Sequence, residues 1–153
     1  NYLEQRGVPR FGVTGISLGG YTSALLAAVD ERLQFSIPNV PVVSLFDLML
    51  QWFPASAMIK TALRLSGVSI KDARHIMAVH CPLTYDPVIP KDRLMIIGGA
   101  GDRFAPPKHA RLLWDHWDRP GIHWFPGNHI IHLDQGKYLK DVAQFLERIG
   151  FAE

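Results

Sequence analysis

The sequence predicts an α/β fold in which a mostly parallel sheet is flanked by helices. Short apolar stretches of strand length alternate with longer stretches of helical spacing along all 153 residues. Turns rich in glycine and proline separate these stretches. Hydrophobic residues make up 48% of the chain, which is enough for one buried core. Alternation of this kind is typical of strand–helix–strand units, whose strands run parallel in one sheet.

The N-terminal part of the chain predicts two strands joined by a helix. Residues 2–6 form the end of a helix, and a strand with the sequence RFGVT follows at residues 10–14. A tight glycine turn at residues 15–20 leads into a helix over residues 21–29. A second strand, LQFSI, follows at residues 33–37. The helix supplies the crossover that two parallel strands require.

A helical segment separates the second predicted strand from the third. Apolar residues recur at helical spacing between residues 44 and 79, and Pro54 and Gly67 interrupt the pattern. We therefore expect two or three helices there. Residues 81–91 contain three prolines and form a connecting loop.

The C-terminal part predicts two further strands, each followed by a helix. The third strand lies at residues 93–97, and the prolines at residues 106–107 suit the first turn of the next helix. The fourth strand lies at residues 122–125. The last helix has an apolar face formed by Tyr138, Val142, Phe145 and Ile149.

Charge and cysteine content narrow the expected partners. Lys and Arg number 16 and Asp and Glu 14, so the net charge of +2 gives no reason to expect binding to nucleic acid or to an anionic membrane. No apolar run reaches the roughly 18 residues of a membrane-spanning helix. The single cysteine, Cys81, excludes an internal disulfide and is expected to be an inert thiol. It fits a reducing compartment, so we expect a cytoplasmic protein.

Residues 15–19, Gly-Ile-Ser-Leu-Gly, match the pattern G-x-S-x-G between a predicted strand and a predicted helix. A serine at the top of such a turn has a strained backbone, and its hydroxyl stands above the sheet. We expect Gly15 and Gly19 to be needed because the chain approaches itself closely there. The backbone N–H of Leu18 points toward the place where an oxyanion forms. Ser17 is therefore a candidate nucleophile and Leu18 a candidate oxyanion donor.

Two other interpretations of this turn are open. A glycine turn can contain a serine that has no function. The run Thr14-Gly15-x-x-x-Gly19 is also similar to the nucleotide-binding turn of short-chain dehydrogenases, but Tyr21 stands where that pattern has a further glycine. The Tyr-x-x-x-Lys pair of those enzymes does not follow in the sequence.

A nucleophilic serine needs a base, and the base needs a carboxylate that orients it. Asp102 follows the third predicted strand in a glycine-rich loop, and His129 follows the fourth in the sequence Pro-Gly-Asn-His. Loops at the carboxyl ends of parallel strands share one edge of the sheet, where ligands bind. We therefore expect Ser17, Asp102 and His129 at the same edge.

Several other polar residues are weaker candidates. His132 is a second candidate for the base, although we expect it to start the last helix and to lie at the surface. Together with His129 it could bind a metal, but no third ligand has suitable spacing. Asp86 is a second candidate for the acid. Arg103 and His109 either shape the turn of the acid or are surface groups.

The three turns GISLGG, GAGDRFAPP and PGNH, in this order, resemble the signature turns of the α/β-hydrolase superfamily. The resemblance covers nearly the whole chain and corresponds to the C-terminal half of a typical member. It implies Ser17 as the nucleophile, Asp102 as the acid and His129 as the base of a serine hydrolase. Asn128 stands where the family often has glycine. The strands that precede the nucleophile in the family, and the loop that gives the second oxyanion donor, have no counterpart here.

The resemblance also implies that residues 41–79 form a helical cap over the active site. We expect most of its apolar residues to bury helix faces and some to line a substrate pocket, with the candidates Phe46, Leu50, Trp52 and Phe53. The implied reaction is hydrolysis of a small-molecule carboxylic ester through an acyl-enzyme, without cofactor or metal. The same triad serves acyltransferases and peptidases. A non-catalytic fragment that binds a partner or a missing half is the alternative from another class.

We therefore expect residues 1–153 to be the C-terminal part of an α/β-hydrolase domain. The strand at residues 10–14 would then lack its usual neighbour and expose unpaired backbone groups. We expect the isolated chain to be weakly active and to self-associate through this edge.

Overall fold

The computed structural model describes residues 2–152. Its centre is a four-stranded sheet in which all neighbouring strands are parallel and follow the order of the sequence. This confirms the predicted α/β fold with a parallel sheet. The strands are β1 (Val13–Ile16), β2 (Ser36–Asn39), β3 (Met95–Gly99) and β4 (Gly121–Phe125).

Seven α-helices surround this sheet within the described residues. They are α1 (Tyr2–Gln5), α2 (Leu18–Ala27), α3 (Leu45–Met49), α4 (Ala55–Ser66), α5 (Ile70–Met77), α6 (Pro107–His116) and α7 (Gln135–Arg148). The segment between β2 and β3 contains three helices, with breaks at Pro54 and Gly67 as predicted. Short 3₁₀ turns occupy Ala78–His80, Pro82–Thr84 and Lys91–Arg93.

Three strands begin later than the apolar pattern predicts. β1 begins at Val13 rather than at residue 10, β2 at Ser36 rather than at residue 33, and β3 at Met95 rather than at residue 93. Arg10 lies before β1, and its guanidinium instead donates hydrogen bonds to the carbonyl groups of Gly150 and Phe151. An apolar stretch indicates an extended, buried chain but not the point at which regular ladder hydrogen bonds start.

β3 extends through Gly98 and Gly99, which the sequence placed in the following turn. A Cβ at Gly98 would collide with the Trp124 ring of β4, and one at Gly99 would meet the Phe125 ring at 2.9 Å. These glycines therefore make room for aromatic side chains of the neighbouring strand.

The sheet is covered on both faces, as a parallel sheet requires. Helices α2 and α6 cover one face, and their core with the sheet includes Ala24, Ala27, Leu94, Ile96, Leu113 and Trp117. Helix α7 covers the other face, where the core includes Ile37, Met95, Ile97, Phe125 and Phe145. Consecutive residues near β3 alternate between the two cores because successive side chains of a strand point to opposite faces.

The helical segment between β2 and β3 packs less tightly than expected. Helices α3 and α4 contain no buried residue, and α5 contains only Ala73. Phe53 is 86% exposed, and Met58 and Leu65 are exposed as well. We expected most apolar residues of this segment to bury helix faces, and these three side chains do not.

No helix within residues 2–152 combines the length and apolar character needed to cross a membrane.

Replacing a core leucine and a surface leucine tests the layer arrangement. Leu113 in α6 is fully buried, whereas Leu139 in α7 is 62% exposed. We expect Leu113→Ala to lower the free energy of unfolding by about 2–5 kcal/mol, because it leaves a cavity. Leu139→Ala should change it by about 0.5 kcal/mol or less. Urea denaturation measures both, and equal losses would contradict the assignment of α6 to the core.

Candidate active site

Ser17 occupies a strained turn between β1 and α2. Its φ of 58° and ψ of −109° lie in a region that L-residues other than glycine rarely adopt. The N–H of Ser17 donates to the carbonyl of Asn39 at the end of β2 (2.9 Å), and the carbonyl of Ser17 accepts from the N–H of Tyr21 (2.9 Å). The turn is thus held by a neighbouring strand and by the helix that follows.

The two glycines of the motif have different surroundings. A Cβ at Gly15 would lie 2.5 Å from the carbonyl carbon of Gly19, so no side chain fits there. A Cβ at Gly19 would meet nothing within 4 Å, so the expectation that both are sterically required is wrong for Gly19. The next residue, Gly20, is sterically required instead, because its Cβ would lie 2.6 Å from the carbonyl oxygen of Asn39.

Asp102 is buried in the loop after β3, and both of its carboxylate oxygens have hydrogen-bond partners. Its Oδ1 accepts the N–H groups of Phe104 and Ala105, each at 2.8 Å. Its Oδ2 lies 2.6 Å from Nδ1 of His129. Because a carboxylate only accepts hydrogen bonds, Nδ1 of His129 is the donor and Nε2 is left without a proton in the neutral ring.

Asn128 fixes the loop that presents His129. Its Oδ1 accepts the N–H groups of Ile130 and Ile131, each at 2.9 Å. Gly127 has a φ of 136°, and a Cβ there would collide with the carbonyl of Ile131. The asparagine that departs from the family pattern is therefore the residue that closes this turn.

The acid and base loops are joined directly. The N–H of Gly101 donates to the carbonyl of Gly127 at 2.9 Å. A Cβ at Gly101 would lie 2.5 Å from the same oxygen, so only glycine permits this approach. Asp102 and His129 follow these two glycines closely and are brought together by them.

His132 does not start the last helix, as the sequence predicted, because α7 begins at Gln135. It lies in the loop before the helix, where its ring stacks on Phe125 at 3.7 Å and meets the ring of Tyr138 edge-on. Burial, together with the nearby His129, lowers the pKa of His132. His132 has no hydrogen bond to Asp102, whereas Nδ1 of His129 lies 2.6 Å from Oδ2 of Asp102, so His129 is the histidine of the pair.

No hydrogen bond joins Ser17 and His129 in the structure of residues 2–152. No hydrogen bond of the Ser17 hydroxyl occurs among residues 2–152, although Ser17, Asp102 and His129 all follow carboxyl ends of parallel strands. Leu18 is the first residue of α2, so its N–H has no acceptor within the helix. The structure brings together the acid and the base, with the serine at the same edge of the sheet.

The four candidate pocket residues lie in different places. Trp52 packs edge-on against Phe104 with ring centres 5.3 Å apart, and Phe104 lies 5.6 Å from the ring of His129. Phe53 is exposed. Phe46 lines one cavity and Leu50 lines another, and neither lining includes a residue of the candidate triad. Phe104 therefore connects Trp52 with the ring of His129 and was not among the predicted pocket residues. Its position two residues after Asp102 could have indicated that it lies near the site.

Two of the weaker candidates lie at the surface. Asp86 and Arg103 are exposed. His109 differs from its predicted role as a turn or surface group, because it is buried in α6. The thiol of Cys81 donates to the carbonyl of Val43 at 3.1 Å, and burial raises its pKa.

No cluster of three or more His, Cys, Asp or Glu side chains suited to a metal ion occurs within residues 2–152.

Two curated relatives, both uncharacterized proteins of Mycobacterium tuberculosis (strains CDC 1551 and H37Rv), are 32% identical to the chain over 151 residues. The match covers 93% of this chain and 33% of each relative, so the chain spans about a third of the length of the curated relatives it matches. No protein-family model matches the chain.

Solved structures similar to the chain include a puromycin-hydrolyzing peptidase of Mycobacterium tuberculosis, with TM-score 0.70 and 16% identity over 98% of this chain and 24% of that one. An acylaminoacyl peptidase of Pyrococcus horikoshii has TM-score 0.67 and 16% identity over 96% and 25%. An esterase of Pyrococcus furiosus has TM-score 0.64 and 16% identity over 96% and 57%. These neighbours are α/β-hydrolases, and such identity establishes the fold alone. The chain therefore has an α/β-hydrolase fold, as its three turns predicted.

Alanine variants of Gly15 and Gly19 can be compared directly, because a Cβ would collide with backbone at Gly15 and meet open space at Gly19. We expect Gly15→Ala to destroy the turn, because its Cβ would meet the backbone of Gly19. Gly19→Ala should leave the fold nearly unchanged, because its Cβ faces open space and alanine favours helices. Thermal unfolding of both variants measures this, and a Gly19→Ala variant that loses as much stability as Gly15→Ala would contradict the described turn.

Proposed function

We propose that the chain carries the catalytic triad of a serine hydrolase that acts on carboxylic esters, with Ser17 as nucleophile, His129 as base and Asp102 as acid. The observation that carries the proposal is the 2.6 Å contact between the buried Asp102 carboxylate and Nδ1 of His129. It leaves Nε2 of His129 as a proton acceptor at the sheet edge on which Ser17 stands. The α/β-hydrolase fold supports the same assignment.

Each residue has a defined role in the proposed reaction. His129 takes the proton of the Ser17 hydroxyl while its oxygen attacks the ester carbonyl. Asp102 orients the ring and stabilises the imidazolium that forms. The oxyanion accepts the N–H of Leu18, at the positive end of the helix dipole of α2. His129 then protonates the leaving alcohol, and water, activated by the same base, releases the acid from Ser17.

The proposed reaction needs a hydrogen bond from the Ser17 hydroxyl to Nε2 of His129, and none is present among residues 2–152. Hydrogen bonds of this type are often long or absent without substrate and form in the complex. The proposed mechanism uses only protein groups and water. It employs no cofactor.

We also propose that residues 1–153 are the C-terminal part of a hydrolase domain, with residues 41–79 as a cap. Support comes from the length of the relatives and from β1, whose outer edge has no strand partner among residues 2–152. The backbone groups of that edge can pair with another part of a longer protein or with a second copy. The unpaired Cys81 is consistent with a cytoplasmic location.

Peptide hydrolysis is the second candidate, because two of the similar structures are of a peptidase that hydrolyses puromycin and of an acylaminoacyl peptidase. The same three residues would perform it. Comparing an amide with an ester of the same acyl group distinguishes the two substrates.

Covalent labelling tests the nucleophile. We expect a fluorophosphonate probe to modify Ser17, because the base and the oxyanion donor activate this hydroxyl. Mass spectrometry of the digested protein locates the label. Ser17→Ala should abolish labelling, whereas Ser66→Ala, an exposed serine at the end of α4, should not change it. A label on another serine in the unchanged protein would refute the assignment, and absence of any label would favour the non-catalytic alternative.

Two histidine variants test the base. We expect His129→Ala to lower kcat about 10⁴- to 10⁶-fold, the usual cost of losing a triad member. His132→Phe keeps a ring to stack on Phe125 and should cost far less. Ester hydrolysis, with circular dichroism as the folding control, measures both. A larger loss in His132→Phe would reverse the roles of the two histidines.

Two neighbouring aromatic residues test the substrate pocket. Trp52 contacts Phe104 beside the base, whereas Phe53 is 86% exposed. We expect Trp52→Ala to lower kcat/KM more for long-chain esters than for acetates, since each buried CH₂ contributes about 0.8 kcal/mol. Phe53→Ala should have little effect on either. Equal changes for all chain lengths in Trp52→Ala would favour a purely structural role, and an effect in Phe53→Ala alone would move the pocket.

A further inference from the structure

Two adjoining cavities lie beside the helical segment, away from the candidate triad. The larger, of about 510 Å³, has mainly apolar walls that include Phe46, Met77 and Leu83. The smaller, of about 410 Å³, lies next to Lys108 and His109 at the start of α6. The two share the lining residues Ser44, Asp47, Arg74 and Leu112. Their combined size is that of a site for a small organic molecule.

His109 is the unusual member of this lining. It is only 2% exposed, and neither ring nitrogen has a hydrogen-bond partner among residues 2–152. Burial, together with the neighbouring Lys108, lowers the pKa of His109, so the ring is neutral near pH 7. Burial of a polar group without a partner destabilises a protein, so such a group in a native structure calls for an explanation.

The charges around the smaller cavity do not cancel. Asp47 is neutralised by Arg74, whose Nη2 and Nε lie 2.8 and 3.1 Å from the same carboxylate oxygen. Asp47 also accepts a hydrogen bond from the Ser44 hydroxyl at 2.8 Å. Among residues 2–152, the ammonium of Lys108 has one hydrogen-bond partner, the amide oxygen of Gln51, 3.2 Å from its Nζ. With Arg74, Lys108 and Asp47 the lining of the smaller cavity has a net charge of +1, although Asp47 also attracts Lys108.

We propose that the two cavities form one binding site for an aliphatic monocarboxylate. Lys108 and His109 would bind the carboxylate, and the apolar walls of the larger cavity would contain the chain. A ring N–H of His109 is a hydrogen-bond donor to a carboxylate oxygen, and the ammonium of Lys108 supplies the charge. Both ring nitrogens are closed off from solvent, so binding requires the side chains that cover the ring to move aside.

None of the lining residues belongs to the triad, although Phe46 and Leu50 are also candidates for the ester pocket. The test is therefore done with Ser17→Ala, in which catalysis is removed and binding remains measurable. Isothermal titration calorimetry with decanoate at pH 7.5 is the assay, and decanol is the uncharged control of the same chain length. We expect decanoate to bind to Ser17→Ala and to the unchanged protein with equal affinity, and decanol to bind at least tenfold more weakly.

Three variants divide the site into its parts. Lys108→Gln should weaken decanoate binding about tenfold and leave decanol binding unchanged, since an ionic hydrogen bond contributes about 1.5 kcal/mol or more. His109→Phe should also weaken decanoate binding, without lowering the melting temperature, because it removes a buried polar group without a partner. Leu112→Trp should abolish binding of both ligands, because the larger side chain would fill the space where the two cavities adjoin. Leu112 is 49% exposed, so we expect this variant to fold. Lys140→Gln, on the exposed side of α7, is the matched control and should change nothing.

Several outcomes would overturn the proposal. One is that decanoate does not bind, or binds only when Ser17 is present. Another is equal affinity for decanoate and decanol, which would mean a nonspecific apolar contact. A third is that Lys140→Gln weakens binding as much as Lys108→Gln, which would mean general attraction to positive charge. None of these results bears on whether Ser17 is a nucleophile, so the two proposals fail separately.

Discussion

The candidate site depends on the close approach of the loops that follow β3 and β4. The N–H of Gly101 donates to the carbonyl of Gly127 at a separation that leaves no room for a side chain. Because the strands are parallel and adjacent, both loops leave the sheet at the same edge. Asp102 and His129 follow this junction, and their 2.6 Å contact results from it. The chemistry of the pair thus rests on a backbone hydrogen bond between two glycines.

Ser17 is positioned by a different contact. Its φ of 58° costs about 1–3 kcal/mol, which the surrounding structure must supply. The carbonyl of Asn39 holds the Ser17 N–H, and Gly20 lets α2 lie directly against the same residue. The nucleophile turn is therefore attached to β2, whereas the acid and base are attached to β3 and β4. The relative positions of serine and histidine therefore depend on the pairing of β2 with β3.

The order of strands and the locations of Ser17, Asp102 and His129 at strand ends could be predicted from the sequence, because motif spacing and strand–helix alternation are local signals. Pairing between loops could not, because it depends on contacts between residues distant in sequence. The hydrogen bond from the N–H of Gly101 to the carbonyl of Gly127 illustrates this, because the two glycines belong to different loops. Asn128 suggested only a departure from the family, and its role in closing its own turn emerged from two local hydrogen bonds. His109 lies four residues before the buried Leu113, so the helical spacing of α6 placed it on the buried face, a signal that its residue type obscured.

Trapping the acyl-enzyme is the most direct test of the proposed function. A p-nitrophenyl ester is mixed with the protein, the reaction is quenched in acid within one turnover, and the digested peptides are analysed by mass spectrometry. The proposed mechanism predicts one acyl group on Ser17, which accumulates because p-nitrophenolate leaves readily and acylation is then faster than deacylation. Hydrolysis that proceeds with no acyl group on Ser17, or with the group on another residue, would contradict it.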